Sequence, residues 1–163
     1  MTAFTPVVRL NRSVIQWSVI LYIALLVPIS LLHETGHALV CSAAGFDYSL
    51  WIDGTGGHTV CAGVPHNTLV YGSIGGLFGL LGSAAIILFW VVTKRKHPAV
   101  LVVGLAYAVD QLAKLVLEGF FTRLYVTGAT DAFLTVLQLV SWIGLTIFFA
   151  RVARAPAMAS RAV

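Results

Sequence analysis

The feature that most constrains this chain is a set of four apolar runs, each long enough to cross a bilayer as a helix. The hydrocarbon core of a bilayer takes about 20 helical residues. Of the 163 residues, 59% are hydrophobic and only 10% are charged, whereas a soluble domain carries about a quarter charged residues. We therefore predict one integral membrane domain over residues 1–163, an all-α bundle of four transmembrane helices. The predicted spans are about 14–44, 69–93, 99–119 and 131–150.

The first span contains Pro28, which is expected to kink the helix. The helix should continue to about Ala44 and end at Gly45, a residue suited to a helix terminus. Residues 42–44 resemble a signal-peptide cleavage site, but the apolar segment before them is too long for a signal peptide and ends in ionisable side chains. A spanning helix is the better interpretation.

The polar segment after the first span predicts a small β-hairpin. Residues 47–52 have strand character, 53–57 form a glycine-containing turn, and 58–61 form the return strand. The second span is rich in small residues that allow close helix packing: Gly72, Gly75, Gly76, Gly79 and Gly82. Residues 120–130 are predicted to be a loop before the fourth span.

A possible metal site lies at the end of the first span, in the pattern His33-Glu34-Thr35-Gly36-His37. Positions four apart lie on one face of a helix, so His33 and His37 can bind the same ion. Two neutral imidazoles suit zinc, and Glu34 is placed to accept a proton from a water molecule at the metal. Ionisable side chains inside an apolar segment usually have a function, although these three could also form a polar cluster satisfied by neighbouring helices.

A catalytic zinc site needs a third protein ligand beside a water position. At 1.5 Å per residue, His33 lies about 32 Å from the basic face of the membrane, and Asp131 about 30 Å from the same face. Asp131 is the favoured third ligand, although its position also suits a helix N-cap. Glu118, at about 30 Å, remains an alternative, whereas Asp110, at about 18 Å, is about 14 Å too low.

The remaining polar residues predict an ion pair and possible contacts to substrate. Asp110 and Lys114 are four apart and are expected to form an ion pair, with Glu118 extending the same stripe. Asn67, His66 and His58 are candidates for binding substrate, although loop histidines often have no such role. A disulfide between the two cysteines, Cys41 and Cys61, stays open at this point.

Basic residues predict the orientation of the chain. One face of the predicted bundle carries almost all of them, and the other carries Arg123. The first group consists of Arg9, Arg12, Lys94, Arg95, Lys96, Arg151, Arg154 and Arg161. By the positive-inside rule, both termini are cytoplasmic and the hairpin faces outward. Because the net charge of +4 comes from residues at the membrane edges, it does not indicate a nucleic-acid partner.

This arrangement resembles the site-2 protease (M50-type) family of intramembrane metalloproteases. The resemblance rests on the histidine motif in a transmembrane helix, the hairpin, the glycine-rich span, and an aspartate that opens a later span. It implies zinc bound by His33, His37 and Asp131, Glu34 as catalytic base, and substrate peptides extended along the hairpin within or beside the lipid bilayer. Family members often carry Leu-Asp-Gly at the third ligand, where this chain has Thr130-Asp131-Ala132.

The sequence thus predicts a membrane zinc endopeptidase whose substrates are membrane proteins or peptides. Two other classes were considered: a carrier or sensor that binds zinc without hydrolysis, and an inactive structural homologue that binds other helices through its glycines. Neither explains Glu34, because a glutamate at that depth is costly without a function. The sequence does not indicate the substrate's identity or the oligomeric state.

Overall fold

The computed structural model describes residues 10–54, 56–63 and 65–153. Four of its helices are long and apolar enough to cross a membrane, which confirms the predicted four-span bundle with a hairpin after the first span. The chain is therefore a multi-pass membrane protein by its architecture. In chain order the elements are α1 (Arg12–Ala43), β1 (Tyr48–Asp53), β2 (Gly56–Cys61), α2 (Thr68–Val92), α3 (Pro98–Phe120), α4 (Thr122–Val126) and α5 (Asp131–Val152).

Local sequence signals account for where the long helices begin. The Asn11 side chain accepts a hydrogen bond from the backbone of Ser13, and the Asn67 side chain accepts one from Val70. Both residues are N-caps, which satisfy amide groups that a helix start leaves unpaired. Pro98 occupies the first turn of α3, where its missing N–H removes no helical hydrogen bond.

An aromatic stack and a group of polar side chains hold α1, α3 and α5 together away from the histidine motif. The ring of Tyr22 lies between Tyr107 of α3 and Trp142 of α5, with ring centroids 5.1 and 4.5 Å away. Ser18 lies 2.9 Å from the Thr146 hydroxyl and accepts a hydrogen bond from Trp142. Because α1 is parallel to α3 and antiparallel to α5, the C-terminal half of α1, which carries His33, lies beside the C-terminal half of α3.

The glycines of α2 form the contact surface between this helix and its two neighbours. An added Cβ at Gly72 would meet the backbone of Glu118, and one at Gly76 would lie 2.5 Å from the backbone of Leu115. At Gly36 of α1 it would lie 2.7 Å from the carbonyl oxygen of Ile74. These small residues therefore bring the α2 backbone against both α1 and α3, as the sequence predicted.

The predicted hairpin is present, and its two strands pair antiparallel from Tyr48 opposite Cys61 to Asp53 opposite Gly56. Cys41 and Cys61 form a disulfide, with Cα atoms 5.7 Å apart, that joins the end of β2 to the last turns of α1. The cysteine pairing that the sequence left open is therefore resolved in favour of a disulfide.

Two details of the segment before α5 differ from expectation. The predicted loop over residues 120–130 contains the short helix α4. The N-cap of α5 is Thr130, and Asp131 is the first helical residue, so the N-cap alternative for Asp131 was wrong by one position. A carboxylate in the first turn is still favourable there, because the helix dipole is positive at its N-terminus.

Candidate metal centre

Three buried side chains from two helices converge at the end of α1. His33 and His37 come from α1 and Glu118 from α3, with relative exposures of 4, 9 and 3%. The two Nε2 atoms are 3.3 Å apart. His33 Nε2 lies 3.2 Å from Glu118 Oε1, and His37 Nε2 lies 3.2 Å from Glu118 Oε2. Within the described residues, these three form the group of histidine and acidic side chains able to hold a metal ion.

Hydrogen bonds on the far side of each ring determine which nitrogen faces the cluster. His37 Nδ1 donates to the backbone carbonyl of Tyr71 at 2.8 Å, because a carbonyl oxygen can only accept. His33 Nδ1 lies 2.8 Å from Gln111 Oε1 and donates to it. In both neutral rings the proton is therefore on Nδ1, and Nε2 directs a lone pair toward Glu118.

The cluster is a set of acceptors that face one another. With both rings in this tautomer, neither Nε2 carries a proton to donate to the other ring or to Glu118. Glu118 Oε1 is buried and makes no well-aligned hydrogen bond. A buried carboxylate oxygen without a hydrogen-bond donor is costly in an apolar environment, so a cation among these atoms would stabilise the arrangement. The two imidazole nitrogens and the carboxylate of this cluster therefore suit a metal ion as ligands.

Space for an ion comes from a glycine of α2. An added Cβ at Gly75 would lie 2.7 Å from His33 Nε2 and would overlap His37 Nε2. Any larger residue at position 75 would therefore occupy the position toward which the imidazoles point. The sequence identified Gly75 as a packing residue, and the structure adds that it borders the candidate metal centre.

Glu34 lies beside the cluster and under the hairpin. Its Oε1 is 4.0 Å from His33 Nε2, and the residue is 8% exposed. A Cβ at Gly57 of β2 would lie 2.7 Å from Glu34 Cγ, so this glycine lets the strand pass directly over the side chain. Thr59 donates a hydrogen bond to the Glu34 carbonyl at 3.0 Å. These contacts hold β2 against the histidine motif.

A cavity of about 510 Å³ opens next to this group. Its walls come from α1, the hairpin turn, α3, α4 and α5, and His33 and Glu34 form part of them. Polar residues from the other elements include Asp53, His58, Lys114, Tyr125, Asp131 and Gln138. The cavity therefore brings a space large enough for several side chains to the carboxylate of Glu34.

The sequence-predicted residues occupy different places around this centre. His33, Glu34 and His37 come together as expected. Asp131 is exposed and lines the cavity, but it does not join the group of three, in which Glu118, the alternative ligand, supplies the carboxylate.

The remaining predicted residues surround the cavity or lie away from it. Asp110 forms the expected ion pair with Lys114 at 3.2 Å. His58 lines the cavity, stacks on Trp51 and lies 3.3 Å from Asp53. His66 is exposed and Asn67 is the N-cap of α2, and neither of these two described residues lines the cavity.

Sequence reasoning missed two side chains of the site. Gln111 is 1% exposed and lies seven residues before Glu118, on the same face of α3. Tyr125 of α4 also lies beside Glu118, and burial raises the pKa of its phenol, with the Glu118 carboxylate raising it further. The spacing of Gln111 and Glu118 was a usable signal, whereas nothing in the sequence connected Tyr125 to the site.

Comparisons with protein-family models, with curated proteins and with solved structures found no match to this chain.

Proposed function

We propose that the protein is a membrane zinc endopeptidase in which His33, His37 and Glu118 bind the metal and Glu34 is the catalytic base. The observation that carries the proposal is the convergence of three buried ligand groups, with closest atoms 3.2–3.3 Å apart, beside a further carboxylate. In a tetrahedral zinc site with bonds of about 2.0–2.1 Å, ligand atoms are separated by about 3.3 Å. The two imidazole nitrogens support zinc over calcium, which takes oxygen ligands.

Zinc bound there would supply Lewis acidity and lower the pKa of a water ligand. Glu34 would receive the proton of the attacking water on its carboxylate and then donate it to the leaving amine of the peptide. The position of Glu34 suits this role because its Oε1 lies 4.0 Å from His33 Nε2 and so borders the place where a water ligand of the metal would lie. Burial under β2 restricts the side chain to that position.

A peptide is the substrate class that the surroundings of Glu34 favour. The cavity is bordered by the hairpin residues 52–54 and 56–58, whose strands pair only with each other within the described residues. Unpaired backbone groups at a strand edge can bind an extended peptide as an added strand. Such binding would also unwind a helical substrate, as required before its amide bonds become accessible.

The test is the Glu34→Gln variant, purified in detergent and assayed for zinc content and for cleavage of casein, an unfolded protein. We expect one zinc per chain in both proteins and a loss of turnover of at least about 100-fold in the variant, typical of removing a general base. Asp47→Asn makes the same chemical change at an exposed position of the hairpin base and should cleave normally.

Two outcomes would contradict the proposal. If purified wild-type protein lacks stoichiometric zinc, the proposed metal centre is ruled out. If the zinc-loaded wild type and the zinc-loaded Glu34→Gln variant show the same cleavage rate, the alternative of a zinc carrier is favoured, because a carrier needs the ligands but no base.

A further inference from the structure

A chain of buried polar side chains leads from the surface of α3 to His33. Lys114 Nζ lies 3.2 Å from Asp110 Oδ2, and Gln111 Nε2 donates a hydrogen bond to the same oxygen at 2.9 Å. Gln111 Oε1 then accepts from His33 Nδ1 at 2.8 Å. Asp110 and Gln111 are 2 and 1% exposed, so their polar groups depend on these contacts.

The donor and the acceptor of each hydrogen bond in this series of side chains are fixed. A carboxylate of Asp110 can only accept hydrogen bonds, so the amide of Gln111 must present its NH₂ group to it. The opposite end of that amide is then an oxygen, which can only accept from the His33 ring. Lys114 reinforces this arrangement, because an ammonium group can only donate to Asp110.

We propose that Asp110 and Gln111 are positioning residues that fix His33 in the tautomer with its proton on Nδ1, so that Nε2 is free to bind a metal. The proposal extends the proposed function, on which its metal-binding part rests. His37 needs no such device, because a backbone carbonyl accepts its Nδ1 proton. The two rings therefore differ in the group that accepts the Nδ1 proton, which is a side chain for His33 and a backbone carbonyl for His37.

The packing of α2 supports a specific position for Gln111. A Cβ at Gly79 would overlap Gln111 Oε1, the atom that accepts from His33. Gly79 therefore leaves room for the amide where its oxygen contacts the His33 ring.

The experiment compares three variants of the full chain in detergent micelles. Gln111→Leu removes the acceptor for His33. The double variant Asp110→Asn/Gln111→Glu exchanges the carboxylate and the amide, so that the asparagine donates to the new glutamate and the glutamate accepts from His33. Tyr107→Phe is the control. It removes another buried hydrogen bond of α3, from the Tyr107 hydroxyl to the Tyr22 carbonyl, and leaves the hydrogen bonds of Asp110 and Gln111 in place.

Two measurements are made on each variant. Zinc affinity is determined by competition with a chelator, and the ring tautomer of His33 is read from histidine ¹⁵N chemical shifts in metal-free protein. Gln111→Leu should lower zinc affinity about 10–100-fold, as is typical when the hydrogen-bond partner of a ligand is lost, and should produce a mixture of tautomers. The exchanged pair and Tyr107→Phe should keep both properties close to wild type.

The inference is overturned if Gln111→Leu keeps the Nδ1–H tautomer and wild-type zinc affinity. It is also overturned if the exchanged pair loses both properties, and this result decides the matter should Gln111→Leu fail to fold. Failure of the proposed function gives a different result, because wild-type protein would then bind no zinc. The ¹⁵N measurement on metal-free protein would still show whether Asp110 and Gln111 fix the tautomer of His33.

Discussion

At the scale of single residues, the identity of the third ligand depends on burial and rotation around a helix axis. Glu118 is 3% exposed, and its two carboxylate oxygens each lie 3.2 Å from the Nε2 atom of a different histidine. It shares a face of α3 with Gln111, which contacts His33 from the other side. Asp131 instead begins α5 at an exposed position on the cavity wall. Glu118 is therefore the stronger candidate for a third ligand, because water does not compete for a buried carboxylate.

We therefore expect Glu118→Gln and Asp131→Asn to differ in zinc binding. The first variant removes the negative charge from the cluster and should weaken zinc binding by more than about 100-fold, beyond the loss typical of residues that only support a ligand. The second should bind zinc like the wild type, as measured by chelator competition. The reverse order of the two affinities would restore Asp131 as the ligand that the sequence favoured.

The convergence of the two histidines could be predicted from spacing, whereas the carboxylate that joins them could not. His33 and His37 are four apart on one helix, and that distance fixes their relation without any tertiary information. Residue counting gave Glu118 and Asp131 nearly the same height, and it ignores how each helix is rotated and tilted. It also placed Asp110 too low, although Gln111 alone bridges Asp110 to His33.

At the scale of elements, the hairpin and α2 enclose the histidine motif from opposite sides. Gly57 passes over Glu34, while Gly75 lies against both imidazoles. The hairpin and the glycine-rich span were both predictable, from strand alternation and from composition. The short helix α4 was not, because five residues are too few to show a helical period. Its Tyr125 therefore entered the site only through the tertiary structure.

The disulfide gives the hairpin a covalent attachment to α1, so its loss should weaken that element and leave the metal centre intact. Cys41 and Cys61 are separated by 20 residues, and closing a loop of that size typically stabilises a fold by about 2–4 kcal/mol. The Cys41→Ser/Cys61→Ser double variant should unfold at a lower temperature than the wild type while binding the same amount of zinc.

The thermal measurement needs a control for the substitution itself. Ser42→Ala changes an exposed neighbour of Cys41 and should leave the unfolding temperature unchanged. A double cysteine variant that lost zinc together with stability would show that the hairpin holds the metal ligands in place, contrary to this expectation.

At the scale of the whole molecule, the two ends of the described chain lie on one side of the bundle. Asn11 donates hydrogen bonds to the carbonyls of Ala150 and Ala153, so the start of α1 meets the end of α5. The turn between α2 and α3 carries Lys94, Arg95 and Lys96 and lies at this same end, because α2 is antiparallel to α1. The disulfide lies at the opposite end, where the hairpin packs on the last turns of α1.

These two markers make one prediction for the orientation in the membrane. Basic loops remain in the cytoplasm, and disulfides persist in oxidising compartments outside it, so the described termini should be cytoplasmic and the hairpin external. A green fluorescent protein fused after residue 163 should fluoresce, and an alkaline phosphatase fused there should be inactive. A membrane-impermeant thiol reagent should label Cys61 only after reduction of intact cells, whereas Cys41 is fully buried. An active phosphatase fusion together with free cysteine thiols would place the hairpin and the candidate metal centre on the cytoplasmic side, because both markers would then point the other way.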